Sequence, residues 1–372
     1  MSRHEMRLAR ELAAFCLSSR RKRVKDAEEK IKALEGLSEQ KRKELLKRFS
    51  KDNKKYLCNF TEWYKSFKFH KISNTEKKAF LTRDEMAVIC KRYEIDYPEQ
   101  RQVTRNKDRF LKKYGSFIHR KWLYATEDIK PEEIDRFVME HDTIVKPRDG
   151  SLGSGIIKIP KGTENASEIV FQKQFPIVLE ECVVNVDELA EFHPASLNTV
   201  RVTTISNGKD VRILGAELRV GNHGKICDNA AAGGVLASID IDSGMINSHG
   251  FDKMGEEMTE HPESGKAFLG VQIPMWEDVI KTCKAAALFD KNTRLIGWDI
   301  AVTLNGIEVI EANSLPSPEG FQLTTQRGIR ERFISILKEL HLPYRDVLIW
   351  EWLIKKMMPV ICLLGRKRVS NT

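Results

Sequence analysis

The sequence has no Cys-x-x-Cys pair, and its seven cysteines are scattered between Cys16 and Cys362. This spacing predicts neither a disulfide framework nor a zinc site, and it favours a reducing compartment. No uncharged apolar run approaches the length of a membrane-spanning helix. The N-terminus is charged throughout and lacks the apolar segment of a secretion signal. We therefore expect a cytoplasmic protein.

Length and composition indicate a globular chain with real hydrophobic cores. Its 372 residues are 41% hydrophobic and 31% charged, which is enough for two or three packed units. The net charge of +9 is uneven, since residues 1–75 hold 21 Lys and Arg against 10 Asp and Glu. No nucleic-acid motif accompanies this basic region, so we expect no nucleic-acid partner. Peripheral contact with the inner face of an anionic membrane stays open, through this region and the basic apolar segment 347–368, which could equally pack on the core.

Residues 294–316 carry the strongest functional signal. Two runs rich in Ile, Val and Leu flank an Asn-Gly pair, which predicts a β-hairpin. Asp299, Glu311 and Asn313 interrupt these apolar runs, and a buried carboxylate needs a partner. Three oxygen donors without His or Cys suit Mg²⁺. The alternative is an ordinary hairpin with its carboxylates at the wet ends.

The register of this hairpin decides whether the three side chains can share a metal. A two-residue turn at 305–306 would pair Asp299 with Ala312 and put Glu311 on the opposite face. A three-residue loop at 304–306, or a bulge elsewhere, would pair Asp299 with Glu311 directly. The metal hypothesis therefore predicts an odd-numbered loop or a bulge.

A glycine-rich segment at 149–155 follows a short strand that contains Lys146. Glycines let backbone N–H groups approach phosphate oxygens, and a lysine adds a point charge. The segment matches neither the P-loop nor the Rossmann fingerprint, and a simple glycine-rich hairpin remains an alternative. Downstream, the apolar strand 176–184 contains Glu180 and Glu181, which could hold a nucleoside or mark a solvated strand end.

Two arginines lie on predicted strands. Arg201 interrupts a β-branched run at 196–205, and Arg219 alternates with apolar residues at 211–220. An arginine in such a strand needs an anion, and a phosphoryl group suits its planar fork.

Capping signals predict several helix starts and one loop. Helices are expected to begin near Ser38, Thr82 (with Glu85 as its capping partner), Asn106 and Pro131. An amphipathic helix is predicted at 276–288 and another at 328–340, and we expect an irregular loop at 317–322.

In order, these features resemble the ATP-grasp superfamily, whose members include D-alanine–D-alanine ligase and glutathione synthetase. They resemble the sugar-transfer-associated ATP-grasp family more closely, over roughly residues 100–335. The motifs that carry this resemblance are Ser-Leu-Asn-Thr-Val-Arg201, Asp228-Asn229 with Gly233-Gly234, Gly297-Trp-Asp299 and Glu311-Ala-Asn313.

The resemblance implies an α+β chain with the ATP-grasp fold, in which two α+β subdomains clamp ATP, preceded by a helical extension. The expected parts are a basic helical extension, an N-terminal subdomain, a lid subdomain, a C-terminal subdomain with the magnesium site, and a basic apolar helix. Their ranges are 1–78, 79–140, 141–190, 191–340 and 341–372.

The resemblance also implies the cofactors, ATP and Mg²⁺, and the role of each candidate residue. The metal would be bound by Asp299, Glu311 and Asn313, and the transferring phosphoryl group would face Arg201 and Arg219. The nucleotide would contact the following residues, with Cys182 acting through its backbone: Lys107, Lys146, Ser151, Gly153, Ser154, Gly155, Glu180, Glu181 and Cys182.

The implied activity is an ATP-dependent carboxylate–amine ligase that works through an acyl phosphate and releases ADP and phosphate. The family's association with sugar transfer suggests small-molecule substrates such as uronic acids and amino sugars, in surface polysaccharide or sugar-conjugate synthesis. Two alternatives are an ATP-dependent phosphotransferase on the same fold and a nucleotide-binding module without turnover. We find no Ser/His/Asp or Cys/His set that indicates covalent catalysis, and we interpret His193 and Cys182 as structural.

Overall fold

The computed structural model describes residues 20–92, 95, 98–149, 155–224, 228, 233–292 and 294–342. By internal contacts the chain divides into two units, residues 1–95 with 326–372 and residues 96–325. The predicted C-terminal helix lies almost wholly outside the described residues. Within the described ranges, no helix is long and apolar enough to cross a membrane. The five predicted domain ranges stay predictions.

The described residues form mainly helices as far as residue 113, and strands with intervening helices after it. The helices are α1 (residues 20–32), α2 (Glu39–Tyr56), α3 (Asn74–Ala79), α4 (Arg83–Arg92), α5 (Pro98–Arg105), α6 (Lys107–Lys113), α7 (Pro131–Glu140), α8 (Ala166–Val170), α9 (Asp187–Ala190), α10 (Trp276–Phe289), α11 (Glu319–Thr325) and α12 (Arg330–Glu339). The strands are β1 (Trp122–Ala125), β2 (Thr143–Pro147), β3 (Ile157–Ile159), β4 (Ile177–Glu181), β5 (Thr199–Ser206), β6 (Val211–Val220), β7 (Val235–Ile239), β8 (Gly250–Phe251), β9 (Glu257–Met258), β10 (Leu295–Thr303) and β11 (Gly306–Ser314).

The first unit is helical and has an aromatic core that includes Phe49, Trp63 and Phe69. The predicted helix start at Ser38 is confirmed, because its hydroxyl accepts a hydrogen bond from the Lys41 amide (3.3 Å). The α12 segment belongs to this unit. Its Arg330 forms an ion pair with Glu85 and donates to the Phe80 carbonyl oxygen (2.9 Å).

The second unit contains two antiparallel sheets. The smaller sheet has the order β1-β4-β2-β3 and packs against α7 and α8. The larger sheet has the order β11-β10-β5-β6-β7-β8-β9. Buried residues of β5, β6 and β10 share one core with α6 and α10. The α+β class predicted from the sequence is therefore confirmed.

One predicted loop is wrong. Residues 317–322 were expected to be irregular, but α11 begins at Glu319. The Ser317 hydroxyl accepts a hydrogen bond from the Glu319 amide (3.3 Å), and Gln322 donates to the Pro318 carbonyl oxygen (2.7 Å). Ser317 thus satisfies the first backbone N–H of α11, and the helix begins directly after Pro318.

Candidate active site

The β10–β11 hairpin pairs Asp299 directly with Glu311, and Gly297 with Asn313. Its turn is short, since Thr303 pairs with Gly306. The register needed for a shared site comes from a bulge next to Asp299, and not from an odd-numbered loop. Of the two arrangements that the metal hypothesis allowed, the structure has the bulge. All three oxygen-donor side chains consequently share one face.

This pair extends into a row of charges across four neighbouring strands. Asp299 lies opposite Arg201 on β5, and Arg201 lies opposite Glu217 on β6. Directly opposed residues of antiparallel strands project from the same face. The row therefore reads Glu217, Arg201, Asp299, Glu311, with charges that alternate except at its last pair.

Asp299 is the centre of this row. Arg201 binds both of its carboxylate oxygens, through Nε and through Nη2 (2.9 Å). Arg219 Nη1 lies 3.3 Å from Oδ1 and 3.4 Å from Oδ2, and Asn313 Nδ2 donates to Oδ2 (3.1 Å). Burial alone would raise the pKa of Asp299, but the two guanidinium groups lower it below its ordinary value.

Glu311, unlike Asp299, is not surrounded by positively charged partners in contact with it where the structure describes the chain. It makes no hydrogen bond or ion pair with the described residues, and burial together with the charge of Asp299 raises its pKa. No group of three or more His, Cys, Asp or Glu side chains in the described part of the chain is arranged to hold a metal. The candidate set has two carboxylates and an amide, and it fits Mg²⁺, because a dication would relieve the repulsion between Asp299 and Glu311.

The two candidate phosphate lysines lie near the end of β4. Lys146 Nζ binds Glu180 Oε1 (3.0 Å), and Arg120 Nε binds Glu180 Oε2 (2.5 Å). Burial would raise the pKa of Glu180, but Arg120 and Lys146 lower it to about 2. Burial also lowers the pKa of Lys107, although the carboxylate of Glu311 acts against this shift.

The other candidate nucleotide residues are spread around this site. The Glu181 side chain accepts from the Lys121 amide (3.0 Å) and does not line the cavity described below. The Cys182 amide donates to the Asp142 carbonyl oxygen (2.7 Å). Gly155 has a positive φ of 75° and packs against Pro147. Ser151, Gly153 and Ser154 lie outside the described residues.

A cavity of about 430 Å³ brings most of the candidate residues together. Its apolar lining includes Ile144 of β2, Ile156 just before β3, and Ile310 of β11. The lining also includes the polar and charged candidates, which are Lys107, Lys146, Glu180, Arg201, Arg219, Asp299, Glu311 and Asn313. The cavity lining thus combines an apolar set and a strongly charged set of side chains.

Sequence reasoning missed several groups at this site. Arg120 lies buried between Glu180 and Glu308, and no local pattern marked it. Asp228 belongs to one of the family motifs, but no local pattern indicates a role for it. It lines the cavity and accepts from the Thr199 amide (3.0 Å), and burial raises its pKa although Arg219 opposes the shift.

The structure also brings together a Ser–His–Glu chain that the sequence did not indicate. His193 Nδ1 lies 3.1 Å from the Ser196 hydroxyl, and His193 Nε2 lies 3.1 Å from Glu263. Ser196 lines the cavity, but its hydroxyl also donates to the Asn198 amide oxygen (2.8 Å). Asn198 in turn donates to the Leu189 carbonyl oxygen (2.8 Å), so this network fixes the entry to β5.

Comparison with known proteins identifies the class. The chain belongs to the sugar-transfer associated ATP-grasp family, whose model matches residues 67–338, well over half of the chain. This confirms the resemblance and the fold predicted from the sequence, and it extends the matched region toward the N-terminus. A search of curated proteins finds no match.

Matches among solved structures include the ATP-grasp ligase PsnB complexed with a minimal precursor, Mg and ADP, at 17% identity and a TM-score of 0.42. That match covers 68% of this chain and 66% of PsnB, just under two thirds of its length. D-alanyl-alanine synthetase A from Vibrio cholerae matches at 14% identity and a TM-score of 0.40, covering 70% and 66% of the two chains. The ADP complex of purK, N5-carboxyaminoimidazole ribonucleotide synthetase, matches at 11% identity and a TM-score of 0.39. That match covers 59% of this chain and 47% of purK.

Proposed function

We propose that this chain is an ATP-dependent carboxylate–amine ligase that forms an amide through an acyl phosphate. ATP and Mg²⁺ are the cofactors that membership of the ATP-grasp family brings. One observation carries the proposal. Asp299 and Glu311 face each other in register beside Arg201 and Arg219, in a cavity that also contains two lysines. Phosphoryl transfer depends on such positioning and charge compensation more than on a protein nucleophile.

The charged side chains of the cavity would hold the triphosphate. Lys107 and Lys146 both line the cavity, and the segment 149–155 follows the strand that carries Lys146. The lowered pKa of Lys107 reflects a desolvated ammonium group, and such a group gains much from an anionic ligand. We assign these lysines to the β- and γ-phosphates, and the 149–155 segment to shielding them from water.

Asp299, Glu311 and Asn313 would hold Mg²⁺, which would neutralise charge on the phosphate oxygens. Arg201 and Arg219 would face the phosphoryl group during transfer, because both line the cavity beside these ligands. Their guanidinium groups are largely buried, so the charge they offer is little screened by solvent.

The apolar side chains of the cavity would take the adenine. Ile144, Ile156 and Ile310 are among them, and Val183 and Val184 extend this lining just after Cys182. Glu180 is already bound by Arg120 and Lys146, so we assign it to the orientation of Lys146. Glu181 and the Cys182 backbone remain proposed nucleoside contacts.

The reaction would proceed in two displacements. A carboxylate oxygen attacks the γ-phosphorus, the bond to ADP breaks, and an acyl phosphate forms. The amine nitrogen then attacks the carbonyl carbon, the C–N bond forms, phosphate leaves with the C–O bond electrons, and the nitrogen loses a proton to solvent. The family description refers to sugar transfer, and we therefore propose uronic acids and amino sugars as the substrate classes to test, in polysaccharide or sugar-conjugate synthesis.

Hydroxylamine trapping tests the proposal. The protein is incubated with ATP, Mg²⁺, hydroxylamine and single members of a panel of uronic and amino acids. We expect a hydroxamate from the true carboxylate and stoichiometric release of ADP and phosphate, with no AMP. Omission of hydroxylamine and addition of amino sugars should then give the amide. A stable phosphate ester as the sole product across a sugar panel would make the protein a phosphotransferase and refute the ligase proposal.

A further inference from the structure

Arg120 makes an unusual set of contacts with β11. Its Nη1 donates to the Val309 carbonyl oxygen (2.8 Å), and its Nη2 donates to the Ile310 carbonyl oxygen (3.0 Å). Ile310 is the residue that the β10–β11 ladder skips, since Ile300 pairs with Val309 and Asp299 with Glu311. One guanidinium therefore binds two successive carbonyls at the bulge.

This arrangement and the bulge depend on each other. In a regular strand, successive carbonyl groups point toward opposite sides, so one side chain cannot bind both. The bulge leaves one residue out of the ladder, and its backbone groups need another partner. β11 is an edge strand of the larger sheet, so β10 is its neighbour on one side only. Arg120 supplies donors on the other side.

The bulge determines the candidate metal site. The ladder from Thr303–Gly306 to Ile300–Val309, continued without a bulge, would place Asp299 opposite Ile310. Glu311 would then project from the opposite face of the sheet. The extra residue at 310 restores the pairing of Asp299 with Glu311. Whatever holds the bulge therefore holds the two carboxylates together.

Arg120 is itself fixed from two directions. Its Nη1 also binds Glu308 Oε1 (2.6 Å), and Glu308 Oε2 accepts from the His119 amide (2.9 Å). Its Nε binds Glu180, which also binds Lys146 in the cavity. The same guanidinium thus touches the strand end beside the candidate phosphate lysine and the strand that carries Glu311.

We propose that Arg120 is a positioning residue that holds the bulge at Ile310 and thereby aligns Asp299 with Glu311 for a divalent cation. The inference rests on the proposed function, since it takes these two carboxylates as the metal ligands. Arg120 acts through backbone carbonyls and touches no reacting atom. Lysine cannot replace it, because a single ammonium group lacks the planar fork that spans two carbonyls.

The test measures Mn²⁺ affinity in the presence of ADP. The full-length protein is titrated into Mn²⁺, and binding is followed by the loss of the electron paramagnetic resonance signal of free Mn²⁺. Arg120→Lys should weaken Mn²⁺ binding by tenfold or more, as loss of an outer contact to metal ligands commonly does. Arg148→Lys is the matched control, because Arg148 pairs with Asp108 (2.6 Å) and has no hydrogen bond to β11 among the described residues. Its Mn²⁺ affinity should stay at the wild-type value.

A second variant separates alignment from mere loss of stability. Deletion of Ile310 would make the ladder regular while leaving Asp299 opposite Glu311, so the Arg120→Lys change should cost no Mn²⁺ affinity in that background. An equal loss in both backgrounds, or no loss in either, overturns the inference. Asp299→Asn reports on the proposed function separately. If that change leaves Mn²⁺ binding intact, the metal site itself is misassigned; if it abolishes binding while Arg120→Lys does not weaken it, only the role of Arg120 is wrong.

Discussion

The two candidate metal carboxylates should respond differently to neutralisation, although both serve one site. Asp299→Asn removes the only charge that both Arg201 and Arg219 contact in this row. Removing one partner of a buried ion pair typically costs about 3–5 kcal/mol, because the remaining charge stays buried. Glu217 lies beside Arg201, and its Oε2 has no hydrogen-bond partner among the described residues. That carboxylate can partly compensate the charge of the arginines. We therefore expect Asp299→Asn to lower the free energy of unfolding by about 3 kcal/mol.

Glu311→Gln should behave in the opposite way. Glu311 has no ion-pair partner in the described residues, and its pKa is raised by burial and by Asp299. When the pKa of a carboxyl is higher in the folded than in the unfolded state, ionisation of that carboxyl destabilises the folded protein. The free energy of unfolding of the wild type therefore falls as pH rises through the folded-state pKa of Glu311. The glutamine variant avoids this loss. At pH 7 without metal, it should unfold at the same or a higher temperature than the wild type.

The assay combines thermal unfolding in EDTA with hydroxamate formation in Mg²⁺. Asp299→Asn should lower the melting temperature by on the order of 10 °C, given the size of the second unit. Both variants should lose about a hundredfold or more in turnover, as expected when one preorganised charge is removed. Equal melting temperatures for the two variants would refute the argument that Asp299 is paired with arginines while Glu311 is not. Full turnover in either variant would refute the role of the replaced residue as a metal ligand.

Three further predictions concern other parts of the chain. Ser196→Ala should lower the free energy of unfolding by about 1 kcal/mol and leave hydroxamate formation nearly unchanged; lost turnover at unchanged stability would instead make Ser196 catalytic. The stability that Glu180 contributes should be complete above its ordinary pKa of 4.5 and be lost as pH falls toward about 2, so acid unfolding of wild type and Glu180→Gln should converge in that range. Through its basic N-terminal region, residues 1–75, the protein should sediment at low salt with anionic but not with neutral vesicles. Replacement of four exposed lysines on α2 by Gln, at Lys43, Lys47, Lys51 and Lys54, should weaken this sedimentation. Equal sedimentation with both lipids would contradict the prediction.

Local patterns were sufficient to single out most of the charged residues that the structure brings together. Carboxylates and arginines inside apolar strand patterns are costly without partners, so Arg201, Asp299 and Glu311 each stand out locally, and the family resemblance is what assigns them to one site. Period-two alternation then placed Asn313 on the same face as Glu311. The same reasoning reduced the hairpin to two registers and identified the condition for a shared metal.

The bulge and its support could not be predicted in this way. Arg120 precedes Ile310 by 190 residues, and their contact is set by the packing of two sheets. A single arginine after a histidine carries no periodic signal. Likewise, no local pattern showed that Arg120 and Lys146 both bind Glu180, whose contact with the nucleotide stays a prediction. Contacts between distant segments decide which charges of a site are already compensated.

The distribution of charge along the row bears on how its arginines can act. Arg201 and Arg219 both bind Asp299, while Glu311, on its other side, has no ion-pair partner in the described residues. A dication bound by the two carboxylates would supply a positive partner for Glu311. It would also compete with the arginines for Asp299. Each arginine could then exchange a carboxylate oxygen for a phosphoryl oxygen with little movement. Because both side chains are already desolvated and aligned, this exchange would need little reorganisation, which is the condition under which fixed charges stabilise a transferring group most.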